Sequence, residues 1–185
     1  MPKVFNTDVA LEYEKIMKKA FERTKISVLI MGPNKDKTLP SYLLRKYIAD
    51  NCTGQRISIF PEWKELVKLY KQSAGKYGHF CDYEMGLAKI AKAIIIIPDS
   101  AGSFVELGML SDKVILHPNT LILFSKSHSP TESSFINLGP RKAYRLHHAQ
   151  IHNIDYTDKV KAWTIVDDFL EQRKMHVFEE NQKDI

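Results

Sequence analysis

Apolar residues along this chain keep two spacings, and the alternation between them sets the order of its elements. Val9, Leu11, Tyr13, Ile16, Met17 and Phe21 recur at helical spacing across residues 8–23. Ile26-Ser27-Val28-Leu29-Ile30-Met31 then reads as a short β-branched strand, stopped by Gly32 and Pro33. A helix over 41–49, a strand over 56–60 and one or two helices between 62 and 91 come next. The densest apolar run, Ala93-Ile94-Ile95-Ile96-Ile97, suits a strand covered on both faces at the centre of a parallel sheet. Pro98 and Asp99 end it, and a helix carrying Glu106 follows. Residues 120–124 form another strand, a long irregular loop comes after, 149–154 is an edge strand and 158–175 a closing helix. The last residues, 178–185, are polar enough to fray.

Strands alternating with helices predict βαβ units with right-handed crossovers. The expected fold is α/β, a three-layer Rossmann-like sandwich with a mostly parallel sheet of about five strands. No repeat or flexible linker divides the 185 residues, which read as one domain. In such a sheet the segments after the strands gather on one edge, so that edge is where ligands bind.

Composition changes this picture little. The only two cysteines, Cys52 and Cys81, have no metal-ligand spacing, and His147, His148 and His152 lack supporting ligands, so no metal site is expected. Few cysteines, no apolar leader and no long apolar run point to a reduced cytoplasm rather than secretion or a membrane. A formal charge of +5 suggests an anionic ligand or nucleic acid. Yet the basic groups Lys15, Lys18, Lys19, Arg23 and Arg141, Lys142, Arg145 read as solvated surface.

The chemistry concentrates after the isoleucine run. Ser100, Gly102 and Ser103 make a small turn whose backbone N–H groups approach an anion, such as a phosphate, at a helix N-terminus. Glu106 lies about one turn into that helix. It projects toward the ligand edge, or else caps the helix through Ser103 in a capping box. Asp99 and Glu106 flank the turn, an arrangement suited to glycosyl transfer: Glu106 attacks or stabilises an anomeric carbon while Asp99 positions or protonates the departing base. Asp99 also fits a plain turn-forming aspartate. Gly32 and Pro33 carry no dinucleotide fingerprint or P-loop, so they shape a pocket or simply end a strand. Glu62 either holds ribose hydroxyls or caps the next helix. Glu84 sits on a helix behind a segment, residues 73–80, that reads as a mobile lid, and His79 there is an ordinary loop residue.

Asp99-Ser100-Ala101-Gly102-Ser103-Phe104-Val105-Glu106-Leu107-Gly108 resembles the signature of nucleoside 2-deoxyribosyltransferases and nucleotide N-glycosidases, and the SLOG group of Rossmann-like nucleotide-binding proteins. The wider pattern is similar to a family of anti-phage effectors encoded beside bacterial retron reverse transcriptases. It includes Pro61-Glu62, Asp82-Tyr83-Glu84 and Ser134-Phe135-Ile136-Asn137-Leu138-Gly139-Pro140, and spans about residues 26–144. The resemblance implies that Glu106 is the nucleophile and that Asn137 belongs to the pocket. It also implies that Gly102 and Ser103 cradle phosphate or ribose while Glu62 and Glu84 hold sugar hydroxyls. The expected activity is cleavage of a sugar–base bond in NAD or another nucleotide, without a cofactor, by a toxin-like effector that forms a homo-oligomer. Two other readings stay open. One is a nucleotide sensor without turnover; the other is an interaction subunit held by a reverse transcriptase and its RNA–DNA product.

Overall fold

The four isoleucines of the central strand divide between two layers. Ile95 and Ile97 pack with Val28, Ile30, Leu121 and Leu123 on one face, and Ile94 and Ile96 pack with Leu29, Met31, Ile122 and Phe124 on the other. Side chains alternate across a strand, so an unbroken apolar run requires cover on both sides. Each such isoleucine, fully removed from water, contributes roughly 1.5–3 kcal/mol.

The computed structural model describes residues 7–72, 79–128 and 134–183. Its strands are β1 (Ile26–Met31), β2 (Arg56–Ile59), β3 (Ala93–Ile96), β4 (Thr120–Ser125) and β5 (Gln150–Ile154). All pair in parallel, in the order β2-β1-β3-β4-β5. The helices are α1 (Thr7–Arg23), α2 (Pro40–Asn51), α3 (Lys64–Gln72), α4 (Phe80–Ile90), α5 (Ala101–Leu110), α6 (Phe135–Leu138), α7 (Pro140–Leu146) and α8 (Lys159–Lys183). Leu44 and Ile48 of α2 and Val166, Phe169 and Leu170 of α8 cover one face of the sheet. Tyr83 and Leu87 of α4, Leu107 and Leu110 of α5 and Tyr144 of α7 cover the other. The expected three-layer α/β sandwich is therefore the fold. Among the described residues no helix is long and apolar enough to cross a membrane.

Three expectations are corrected. The segment after β4 holds two short helices rather than only irregular loop; Ser134 caps α6 by accepting from the Asn137 amide at 3.3 Å, and Pro140 opens α7. The closing helix continues to Lys183, through most of the stretch expected to fray. Val177 and Phe178 are buried there, and the Phe178 ring meets Phe21 of α1 edge-on with centroids 5.7 Å apart. Arg141, read as solvated surface, is 7% exposed. Residues 73–78, most of the segment read as a lid, lie outside the described residues; His79 immediately precedes α4 and is exposed.

The order of strands decides where a ligand fits. The chain moves outward from β1 to β2, then returns to lay β3 on the opposite side of β1. The crevice at such a reversal lies at the carboxyl ends of the two strands, here between Gly32 and Pro98.

Candidate functional site

Gly32 closes β1 with φ +155°, and a Cβ there would lie 3.1 Å from the Ile97 carbonyl oxygen and 3.2 Å from Ile97 Cβ. The glycine thus lets the ends of β1 and β3 come together beneath the crevice. Above it Pro33, Asn34, Lys35, Asp36 and Leu39 face Ser100, Ala101 and Gly102 across a cavity of about 310 Å³. A Cβ on Gly102 would meet nothing within 4 Å, so the protein's own packing leaves that space open.

The two serines of the turn serve the backbone. Ser100 is the N-cap of α5, accepting from the Ser103 amide at 3.3 Å. The Ser103 hydroxyl accepts from the amides of Asp99 and Ser100, each at 2.9 Å, and donates to the Ser100 carbonyl. Ser103 is 2% exposed and supports the turn from within. Ala101 and Gly102, whose N–H groups have no intrahelical acceptor, line the cavity. The capping box therefore joins Ser100 to Ser103, not Ser103 to Glu106. Glu106 lies in the second turn of the helix and takes no part in the cap.

Glu106 instead joins a group of charges drawn from four elements. Burial pushes its carboxyl up to about 8, helped first by the neighbouring Glu84 and then by Glu62, and opposed by Arg45. Among the described residues its Oε2 is buried with no hydrogen-bond partner. Glu84, on the inner face of α4 and 8% exposed, is pushed up to about 6 by burial and by Glu62. Glu62, after β2, is held by both terminal nitrogens of Arg45, with Nη2 donating at 2.9 Å. Arg45 is 3% exposed; it also donates to the Ile30 and Pro33 carbonyls and stacks 4.5 Å above the Phe60 ring. Glu62 is thus an ion-pair partner placed at the end of β2.

Arg45 was not among the residues the sequence singled out, although a signal existed. Ser41, Leu44, Arg45 and Ile48 are the buried positions of α2, so an arginine occupies the apolar stripe, where a charge needs a partner.

Asp99 does not join this group. The charges acting on Glu106 are Glu84, Arg45 and Glu62. Asp99 lines a separate cavity of about 480 Å³ with Leu39, Ser125, Asp155 and Tyr156. Burial and Asp99 together push the Tyr156 hydroxyl upward, and that hydroxyl donates to the Leu123 carbonyl at 2.8 Å. The carboxylate that acts most strongly on Glu106 is Glu84. Asn137 lies on α6, where its Oδ1 accepts from Arg141 at 3.3 Å. The imidazole of His117 stacks on Tyr144 with centroids 4.4 Å apart and that of His147 packs against it, so these histidines support α7.

Chemically, three carboxyl groups and one guanidinium share a partly desolvated corner at the ligand edge of a parallel sheet. Such a corner favours a cation or a developing positive charge. Comparison with protein families gives one match: the model of the STM3845 retron effector protein family matches residues 41–184. No curated protein matches the chain.

Proposed function

Since the chain belongs to the STM3845 retron effector family, an effector of anti-phage defence, we propose that it acts by cleaving the sugar–base bond of a nucleotide, with Glu106 as the catalytic carboxylate. The observation that carries this reading is the desolvated Glu106 carboxyl beside Glu84, on the helix that borders the strand-end crevice. Breaking an N-glycosidic bond builds positive charge on the anomeric carbon. Glu106 acts in its ionised form, its proton having passed to solvent water, and the carboxylate attacks the carbon or stabilises the cation. The base leaves with the bonding electron pair, and water completes hydrolysis.

The charge balance of the corner favours one class of substrate. A cationic base, such as the nicotinamide ring of NAD, becomes neutral as it departs and needs no proton. A neutral base needs an acid, a role that would fall to Glu84, whose carboxyl is pushed up to about 6. The likeness of the turn to nucleoside deoxyribosyltransferases and to SLOG proteins supports the same chemistry. Ala101 and Gly102 would then receive the ribose or its phosphate.

The test is release of free base from NAD, nucleotides and deoxynucleosides by the purified protein, alone and with the retron reverse transcriptase and its nucleic-acid product. Release that disappears in Glu106→Gln is expected. Release that survives in Glu106→Gln, or none from any of these substrates in either state, overturns the reading. Saturable binding without consumption would identify a sensor instead.

A further inference from the structure

Among the described residues, the buried and half-buried arginines of this chain are answered by carboxylates, with one exception. Arg45 has Glu62, Arg56 has Asp167 and Glu171, and Arg173 lies in the field of Glu180. Arg141 is 7% exposed, and among the described residues the one neighbouring charge that acts on it is another cation, Arg145. Its Nη1 donates to Asn137 Oδ1 at 3.3 Å, its Nη2 to Asn153 Oδ1 at 3.1 Å, and its Nε is buried with no partner. The guanidinium also lies 5.1 Å from the Phe124 ring centroid. Neutral amides and a ring compensate a buried charge only in part, and a buried cation without an anion is costly.

The place of this residue in the fold gives the deficit a meaning. Because α7 links two parallel neighbours, β4 and β5, it runs back against them, and its first turn stands at the carboxyl edge of the sheet. Arg141 is the second residue of α7. One turn later Tyr144 donates to the Leu107 carbonyl at 3.2 Å, which holds α7 against α5, the helix of Glu106. Phe124, Leu107 and Tyr144 belong to one apolar layer, so Arg141 and Glu106 stand on the same face of the sheet. The amide of Asn153 accepts from Arg141 through its oxygen, which leaves its two N–H donors for another acceptor, and Asn153 is exposed. The guanidinium therefore lies beneath the exposed Asn153 side chain.

We propose that Arg141, with Asn137 and Asn153, forms a phosphate-receiving site that binds the phosphate of the nucleotide substrate. The assignment rests on the proposed function, and adds which residues receive the phosphate, leaving the ribose to Ala101 and Gly102. A guanidinium presents several N–H donors to phosphate oxygens, and the bound anion removes the cost of the buried charge.

Thermal unfolding with inorganic pyrophosphate, AMP and adenosine as probes tests it. Pyrophosphate and AMP at about 100 times their Kd raise the Tm of the wild-type protein by about 3 °C or more, and adenosine does not. Arg141→Met abolishes both shifts. Asn153→Asp, at an exposed position, supplies the missing anion within the chain; it raises the Tm without ligand and removes the response to pyrophosphate and AMP. A purely structural arginine also gains stability from Asn153→Asp, but it gives no shift with pyrophosphate or AMP in the wild-type protein. Equal shifts with AMP and adenosine, or an Asn153→Asp protein that keeps the wild-type Tm and still responds to pyrophosphate, overturns the assignment. Glu106→Gln retains the phosphate shift, so loss of base release and loss of phosphate binding are read separately.

Discussion

A carboxyl that keeps its proton to about pH 8 makes folding and chemistry respond to pH in opposite directions. The folded protein holds the Glu106 proton more tightly than the unfolded chain does. The associated stability is fully present below the ordinary value of 4.5 and is lost as pH rises through about 8. Glu106→Gln, which cannot ionise, should therefore match the wild type near pH 5 and exceed its Tm by about 3 °C or more at pH 9. Equal Tm values at both pH values would contradict the burial of this group. Activity on a cationic base, which needs no acid, runs the other way, because the ionised form attacks: kcat/KM for NAD should rise with pH to a plateau above about pH 8, as a rate profile would show. At Gly32 the constraint is steric. Gly32→Ala places a Cβ 3.1 Å from the Ile97 oxygen at φ +155°, and should cost about 1–3 kcal/mol in denaturant unfolding. Arg45→Met leaves Glu62 without its partner. Because the Glu62 side chain is 36% exposed, the expected loss is about 2 kcal/mol, below the 3–5 kcal/mol of fully buried pairs.

At the scale of elements, α5 tests whether its open first turn serves a ligand. Gly102 sits at a helical position where glycine is unfavourable, and no neighbour fills the space of a Cβ. Gly102→Ala should stabilise the fold by about 0.5–1 kcal/mol while weakening nucleotide binding, measured by titration. Unchanged binding would remove the turn from the site. What the sequence revealed of these elements followed from periodicity. Four isoleucines in a row demand a doubly covered strand, and every strand of the sheet was legible within a residue or two. Helices α6 and α7 were hidden because their 4 and 7 residues are too short for a helical period to show, with Gly139-Pro140 between them reading as a break. The end of α8 was hidden by its polar composition, although Phe169, Leu170, Arg173 and Val177 keep one buried stripe. In the site, Glu106, Glu84 and Glu62 stood out as carboxylates beside strand ends. Nearness in a turn does not fix direction: Asp99 precedes the N-cap, whereas Glu106 lies a turn and a half inside the helix. Arg45 escaped because its partner is 17 residues away, on another strand's end.

For the whole molecule, the two apolar layers make the sheet one shared floor on which the candidate site stands. The group around Glu106 draws on α2, the end of β2, α4 and α5, so its geometry depends on complete strand pairing rather than on any single loop. The family match begins at residue 41, whereas β1 occupies Ile26–Met31 and lies between β2 and β3. The matched stretch carries the candidate carboxylates but not the strand that joins them. Without β1, the facing edges of β2 and β3 would both present unpaired N–H and C=O groups, and Arg45 would lose the Ile30 carbonyl. Residues 41–184 expressed alone should aggregate, and co-expression of residues 1–40 should restore soluble protein by donating one strand to the gap, a split that would turn the sheet itself into an assembly switch.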